Sequence, residues 1–225
     1  MRGTLSVRSR IPENGIAFSP MNSSADIPIS SPEGGLPSAV RWSHLLIQGR
    51  LKAGDIAIDA TAGNGHDALF LAQTVTPGGR VYVFDVQPVA LDATKERLRA
   101  AGISETAFEL LHCGHETIAE TMPEGTRGKV RVIMFNLGYL PGSDKTLITE
   151  TSKTMRAITT ALDWLAPGGL MTVVVYPGHE GGADEAREVA RLGAELSPRA
   201  FEVQHIRPVN RSASPPECWA FWKRG

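Results

Sequence analysis

At 225 residues, with 42% of them hydrophobic, the chain is long enough for one domain with a sizeable core. A net charge of -1 excludes a global attraction to nucleic acid, so any RNA contact must come from a local patch. Only two cysteines are present, which argues against a disulfide framework and fits a reducing compartment, and no apolar run approaches the roughly 18 residues of a membrane span.

Residues 1–36 differ from the rest. They carry Arg2, Arg8, Arg10, many serines and four prolines, and they read as a disordered tail. The first twenty lack the apolar core of a secretory signal. An organellar transit peptide and a misplaced start codon, with Met21 as the true start, both stay open. The expected location is cytoplasmic, or organellar in the first case. A single domain is expected over 37–225.

A helix over Ser38 to Leu51 leads in. Strands are expected near 56–59, 80–85, 107–112, 130–136 and 170–176, and helices near 66–75, 88–101, 115–121, 150–166 and 183–196. Gly-rich breaks such as Pro77-Gly78-Gly79 and Pro167-Gly168-Gly169 separate them. Two later runs, 200–207 and 217–223, would pair as an antiparallel end. The result is an α/β fold: a mostly parallel seven-stranded sheet, helices on both faces, and an antiparallel C-terminal strand. This is the Rossmann-like layout of class I methyltransferases.

The first strand ends in Asp59, and Ala60-Thr61-Ala62-Gly63-Asn64-Gly65-His66-Asp67 follows. The next apolar run ends in Asp85. Gly63 to Ala68 fits the G-x-G-x-x-A dinucleotide fingerprint, with Asp85 placed as a ribose acid. Asp59 argues against it, because a carboxylate beside the turn repels a pyrophosphate. S-adenosylmethionine (SAM) has no phosphate. Its ammonium and sulfonium are attracted by a carboxylate, and the glycines admit close approach of the ligand. The plain alternative is that Asp59 caps a turn and Asp85 ends a strand.

Ligands of such a sheet bind beyond the carboxyl ends of its strands. Two loops there combine Gly and Pro with donors and acceptors: Phe135-Asn136-Leu137-Gly138-Tyr139-Leu140-Pro141-Gly142-Ser143-Asp144-Lys145 and Tyr176-Pro177-Gly178-His179-Glu180. Asn136-x-x-Tyr139 resembles the Asn-Pro-Pro-Tyr loop of amino-group methyltransferases, without its prolines. An amide oxygen can accept a target N–H and aim the nitrogen lone pair, while an aromatic ring stacks on a flat base. Asp144, Tyr176 or His179 could take the proton an alkylammonium must lose. The bland reading has Asn136 cap a turn and Tyr139 pack.

His112-Cys113-Gly114-His115 lacks a second ligand cluster, so no metal is expected. His115 instead walls the cofactor pocket. His66 opens a helix beside the glycines, and His44 and His205 read as structural. Lys95, Arg97 and Arg99 read as a solvated face. Arg211, in the loop before Trp219, either holds a phosphate or is simply solvated.

Together these motifs, with Phe84-Asp85-Val86-Gln87 and the late Asn210…Pro215-Pro216, resemble the rRNA methylase family of class I SAM methyltransferases, from about residue 38 onward. Characterised bacterial members of that family methylate the amine of 5-aminomethyl-2-thiouridine at the tRNA wobble position. The resemblance implies that Asp59, Gly63, Asn64, Gly65, His66 and Asp85 bind SAM, with Gln87 beside the adenosine. Thr61, Asp67, His115 and Asn136 are further candidates for the cofactor site, and Arg211 for the RNA. By the same resemblance Asn136, Tyr139, Asp144 and Lys145 would shape the target site, with Tyr176 and His179 closing it. Ser143 and Glu180 depart from the family pattern without removing a reacting group. The implied partner is the anticodon region of tRNA, bound by a monomer or a homodimer. rRNA or a small amine as acceptor, a non-catalytic SAM- and RNA-binding module, and a nicotinamide oxidoreductase are the alternatives, the last opposed by Asp59.

Overall fold

The computed structural model describes residues 35–138, 151–211 and 214–225. Residues 1–34 of the expected tail, and the site candidates Tyr139, Asp144 and Lys145, lie outside the described residues. Seven strands form one sheet in the order β3-β2-β1-β4-β5-β7-β6. They are β1 (Ile56–Asp59), β2 (Arg80–Asp85), β3 (Phe108–His112), β4 (Val130–Leu137), β5 (Leu165–Val175), β6 (Phe201–Ile206) and β7 (Glu217–Lys223). All neighbours pair in parallel except β7, which runs antiparallel to both β5 and β6. This is the class I methyltransferase sheet expected from the sequence.

The strands alternate sides with period two, as a sheet covered on both faces requires. Ile58, Phe84, Ile133, Phe135, Val173 and Phe221 face one layer, formed by α4 (Ile118–Thr121), α5 (Thr151–Trp164) and α6 (Gly182–Glu195). Ala57, Val83, Val132, Met134 and Ala220 face the other, formed by α1 (Ala39–Ile47), α2 (His66–Val75) and α3 (Pro88–Ala100). No helix among the described residues is long and apolar enough to cross a membrane.

Three boundaries differ from the sequence reading. Helix α1, capped by the Ser38 hydroxyl accepting from the Arg41 N–H, stops at Ile47, and Leu51 is buried separately. The segment after β3 is a 3-10 turn, His115–Thr117, running into the single turn α4. Pro167-Gly168-Gly169 does not precede β5 but lies within it. Leu165 pairs with Val130 and Leu170 with Val132, so the intervening residues bulge out opposite Arg131. Arg131 donates to the Pro167 carbonyl and Trp222 to that of Gly168, which satisfies the looped-out backbone.

Phe221, fully buried in the core of the α5–α6 face, ties β7 into it together with Trp219. Phe221→Ala is expected to cost about 3–5 kcal/mol in urea unfolding. A loss below about 1 kcal/mol would mean that β7 packs elsewhere in solution.

Candidate functional site

The chain passes from β1 through β2 to β3 on one side, then returns to place β4 on the other side of β1. The crevice of such a sheet opens where the order reverses, at the carboxyl ends of β1 and β4. Hydrogen bonds tie these two ends together. The Ala60 N–H donates to the Met134 carbonyl at 2.9 Å, and the Asn136 N–H to the Thr61 hydroxyl at 2.8 Å. Thr61 therefore holds the strand that presents Asn136.

The glycine loop is set by Asp85 and by α3. Asp85 Oδ2 accepts from the Gly63 N–H at 3.0 Å, and its Oδ1 accepts from the Gln87 N–H at 2.9 Å. Gly63 and Gly65 have φ of +51° and +75°, a region that favours glycine. A Cβ on Gly65 would lie 2.8 Å from Thr94 Cα, so this glycine also lets α3 pack closely on the loop. Arg97, read from the sequence as solvated, donates from Nε to the Asn64 carbonyl at 2.6 Å. Asn64 and His66 are exposed at the mouth, and Val86 and Val89 present apolar surface beside Asp85.

Asp59 is fully buried. Its Oδ1 accepts from the Thr61 N–H at 3.1 Å, and its Oδ2 has no partner. Burial first, then the Asp67 charge, push its carboxyl well above the usual carboxylate range, against the pull of backbone N–H donors. Asp67 meets His44, whose Nε2 lies 2.6 Å from Oδ1, and the His44 ring stacks on Phe70 at 4.3 Å. Asp67 Oδ2 accepts from Asn136 Nδ2 at 3.4 Å, and the Tyr176 hydroxyl donates to Asn136 Oδ1 at 2.9 Å. Tyr176 stacks with His179 at 5.4 Å. Burial, then Asp67, push the Tyr176 phenol above its ordinary value. His115 is buried under the site, Nδ1 3.2 Å from the Ala60 carbonyl oxygen, and burial lowers its pKa, which keeps the ring neutral.

The β6–β7 loop returns toward these groups. A Cβ on Gly178 would meet the Ser214 carbonyl at 3.1 Å, so that loop packs on the Tyr176–His179 turn, and the same loop carries exposed Arg211. The structure thus gathers Asp59, Thr61, Asp67, Asn136, Tyr176 and His179 around one strand-end cluster, with Gly63 and Asp85 bonded beside it. Arg211 is exposed on the β6–β7 loop, and Gln87 occupies the N-cap position of α3. No group of three or more His, Cys, Asp or Glu that could hold a metal occurs among the described residues.

Sequence reasoning took His44 as structural and missed its contact with the site, because its partner Asp67 stands 23 positions away. It also missed Glu185 in the first turn of α6. There an acid ordinarily complements the helix dipole, but this one is 6% exposed, and burial pushes its carboxyl up to about 7.

Comparison with known proteins places this geometry in a family. The family model described as "Putative rRNA methylase" matches residues 81–221. A chloroplastic tRNA (mnm(5)s(2)U34)-methyltransferase of Arabidopsis thaliana is 36% identical over 188 residues, which is 80% of this chain and 68% of the relative. The crystal structure of a "putative rRNA-methylase" from Clostridium thermocellum superposes with a TM-score of 0.78 at 32% identity, covering 84% of this chain and 98% of that one. A Streptococcus mutans "putative methyltransferase" solved in complex with SAH gives a TM-score of 0.74 at 34% identity, over 84% and 99% of the two chains.

Because the folded state favours protonated Asp59, its penalty is absent below the unfolded value near 3.8 and grows as pH rises toward the raised folded value. Asp59→Asn keeps the shape and removes the charge. Its urea midpoint is expected to match wild type in acid and to exceed it increasingly toward neutral pH. A variant less stable than wild type at neutral pH would mean that the carboxylate is well compensated in the fold.

Proposed function

The chain belongs to the rRNA methylase family of SAM-dependent methyltransferases, and we propose that it methylates the amine of 5-aminomethyl-(2-thio)uridine at the tRNA wobble position, giving the 5-methylaminomethyl form. The observation that carries this reading is Asn136. Its carboxamide sits at the switch between β1 and β4, with its oxygen turned to Tyr176 and its nitrogen to Asp67.

The residues fit SAM. Asp59 offers a buried oxygen without a partner, and three acidic side chains crowd the strand ends, so a cation beside Asp59 would favour the ionised form that burial disfavours. That field suits a sulfonium and an ammonium and opposes a pyrophosphate. Val86 and Val89 give a flat base apolar surface beside Asp85, the acid placed to hold ribose hydroxyls. When bound, SAM supplies an electrophilic methyl group.

The protein's own task is then to present a neutral amine. An amide oxygen has two acceptor sites. On Asn136 one takes the Tyr176 hydroxyl, and the other is available to a target N–H, which fixes the direction of the nitrogen lone pair. The raised pKa of Tyr176 keeps it a donor rather than a proton acceptor. His179, exposed and stacked on that ring, takes the proton and passes it to water in this reading. Arg211 on the loop packed against Gly178 suits a phosphate of the RNA backbone.

The test is incubation of the purified protein with SAM and tRNA from cells lacking the final wobble methylation, followed by nucleoside mass spectrometry. Conversion of the aminomethyl to the methylaminomethyl nucleoside is expected, with Asn136→Ala lowering turnover about 100-fold. Labelling of rRNA or of small amines in place of tRNA would keep the cofactor and discard the acceptor.

A further inference from the structure

A carboxamide is nearly symmetric in shape and opposite in chemistry at its two ends, so something must decide which end faces the substrate. Four side chains from four elements form a line at the site. His44 comes from α1, Asp67 from the first turn of α2, Asn136 from the end of β4, and Tyr176 from just beyond β5. The two inner members are acceptor-only Asp67 and ambivalent Asn136. Tyr176 can donate or accept, so it does not fix the direction. His44 does: its Nε2 is 2.6 Å from Asp67 Oδ1, its side chain is 15% exposed, and its ring is held flat against Phe70.

We propose that His44 is a positioning residue for methyl transfer: by donating Nε2–H to Asp67 it keeps that carboxylate an acceptor toward Asn136 Nδ2, which turns Asn136 Oδ1 to the reacting amine. The proposal rests on the reading of Asn136 as the group that aims that amine. With His44 in place, a flipped Asn136 would set its carbonyl oxygen against a carboxylate oxygen, two acceptors facing each other in a part-buried site. Without the donor, Asp67 loses the contact that holds Oδ1, its carboxylate can rotate Oδ2 away from Asn136 Nδ2, and Asn136 could then turn over. His44 lies outside residues 81–221, the stretch matched by the family model, and no contact with cofactor or RNA is needed for this role.

Two substitutions separate hydrogen bonding from packing. His44→Gln keeps an N–H close to the position of Nε2, whereas His44→Leu keeps bulk and removes the donor. His44→Leu is expected to lower kcat about 10- to 100-fold with the SAM Kd and the tRNA KM held within about twofold, and His44→Gln to recover most of the loss. A second readout needs no acceptor. The side-chain amide protons of Asn136, assigned by their disappearance in Asn136→Asp, should be exchange-protected in wild type and in His44→Gln, and should lose protection in His44→Leu. Where His44→Leu does not fold, Asp67→Asn replaces it, with the same loss of kcat and protection expected. Equal kcat in His44→Leu and His44→Gln, unchanged protection in His44→Leu, or a fall in SAM affinity that accounts for the whole rate loss would each overturn the proposal. Protection that follows the donor while wild type leaves tRNA unmethylated would instead refute the tRNA assignment and leave the role of His44 standing.

Discussion

Negative charge at the ends of β1 and β2, and the few groups available to compensate it, is the constraint around which the site is built. Asp59, Asp67 and Asp85 sit close enough that the charges of the other two raise the Asp59 carboxyl. Each acid is answered differently. Asp85 takes two backbone N–H groups and in doing so fixes the glycine loop and the start of α3. Asp67 takes His44 and Asn136. Asp59 takes backbone N–H groups on one side and is left with one buried oxygen unsatisfied. Such a residual cost is tolerated in a fold when a ligand removes it, and a cationic ligand removes it best.

That arrangement explains why the glycines and the helix-opening residues matter more by position than by contact. Gly65 allows Thr94 of α3 to approach, and Arg97 on the next turn of α3 grips the Asn64 carbonyl. The loop is therefore clamped from outside before any cofactor arrives, and little ordering is left for binding to impose. At the other end of the crevice, α6 starts at Gly182, where a Cβ would overlap the Tyr176 carbonyl, and the β6–β7 loop leans on Gly178. Tyr176 is thus held from behind by a helix and from the side by a loop, which keeps its hydroxyl on Asn136.

Most of the fold was legible because period-two burial and Gly-rich turns are local signals. The runs at β2, β4 and β5, and the acids that end β1 and β2, could be read directly. The start of β5 was not, because Pro167-Gly168-Gly169 reads as a break, and only the pairing of Leu165 with Val130 shows that the strand has already begun. The site was legible where its residues are neighbours in sequence, as at Asp59 to Asp67. It was not where chemistry is assembled across the chain. Nothing local tells His44 from any polar position on a helix, and nothing local tells Arg97 from a solvated arginine, because each owes its role to a partner 23 or 33 positions away.

The division of labour follows from the reaction. Displacement at a sulfonium methyl needs a lone pair in line and little acid–base strength, so the strongest structural investment goes into orientation. Asn136 is fixed through its backbone by Thr61, through Nδ2 by Asp67 and through Oδ1 by Tyr176, three separate elements converging on one residue. The group proposed to handle the proton, His179, is by contrast exposed and stacks on Tyr176. A base that must exchange protons with water on every turnover belongs at the mouth, whereas an amide that must never turn over belongs in the wall.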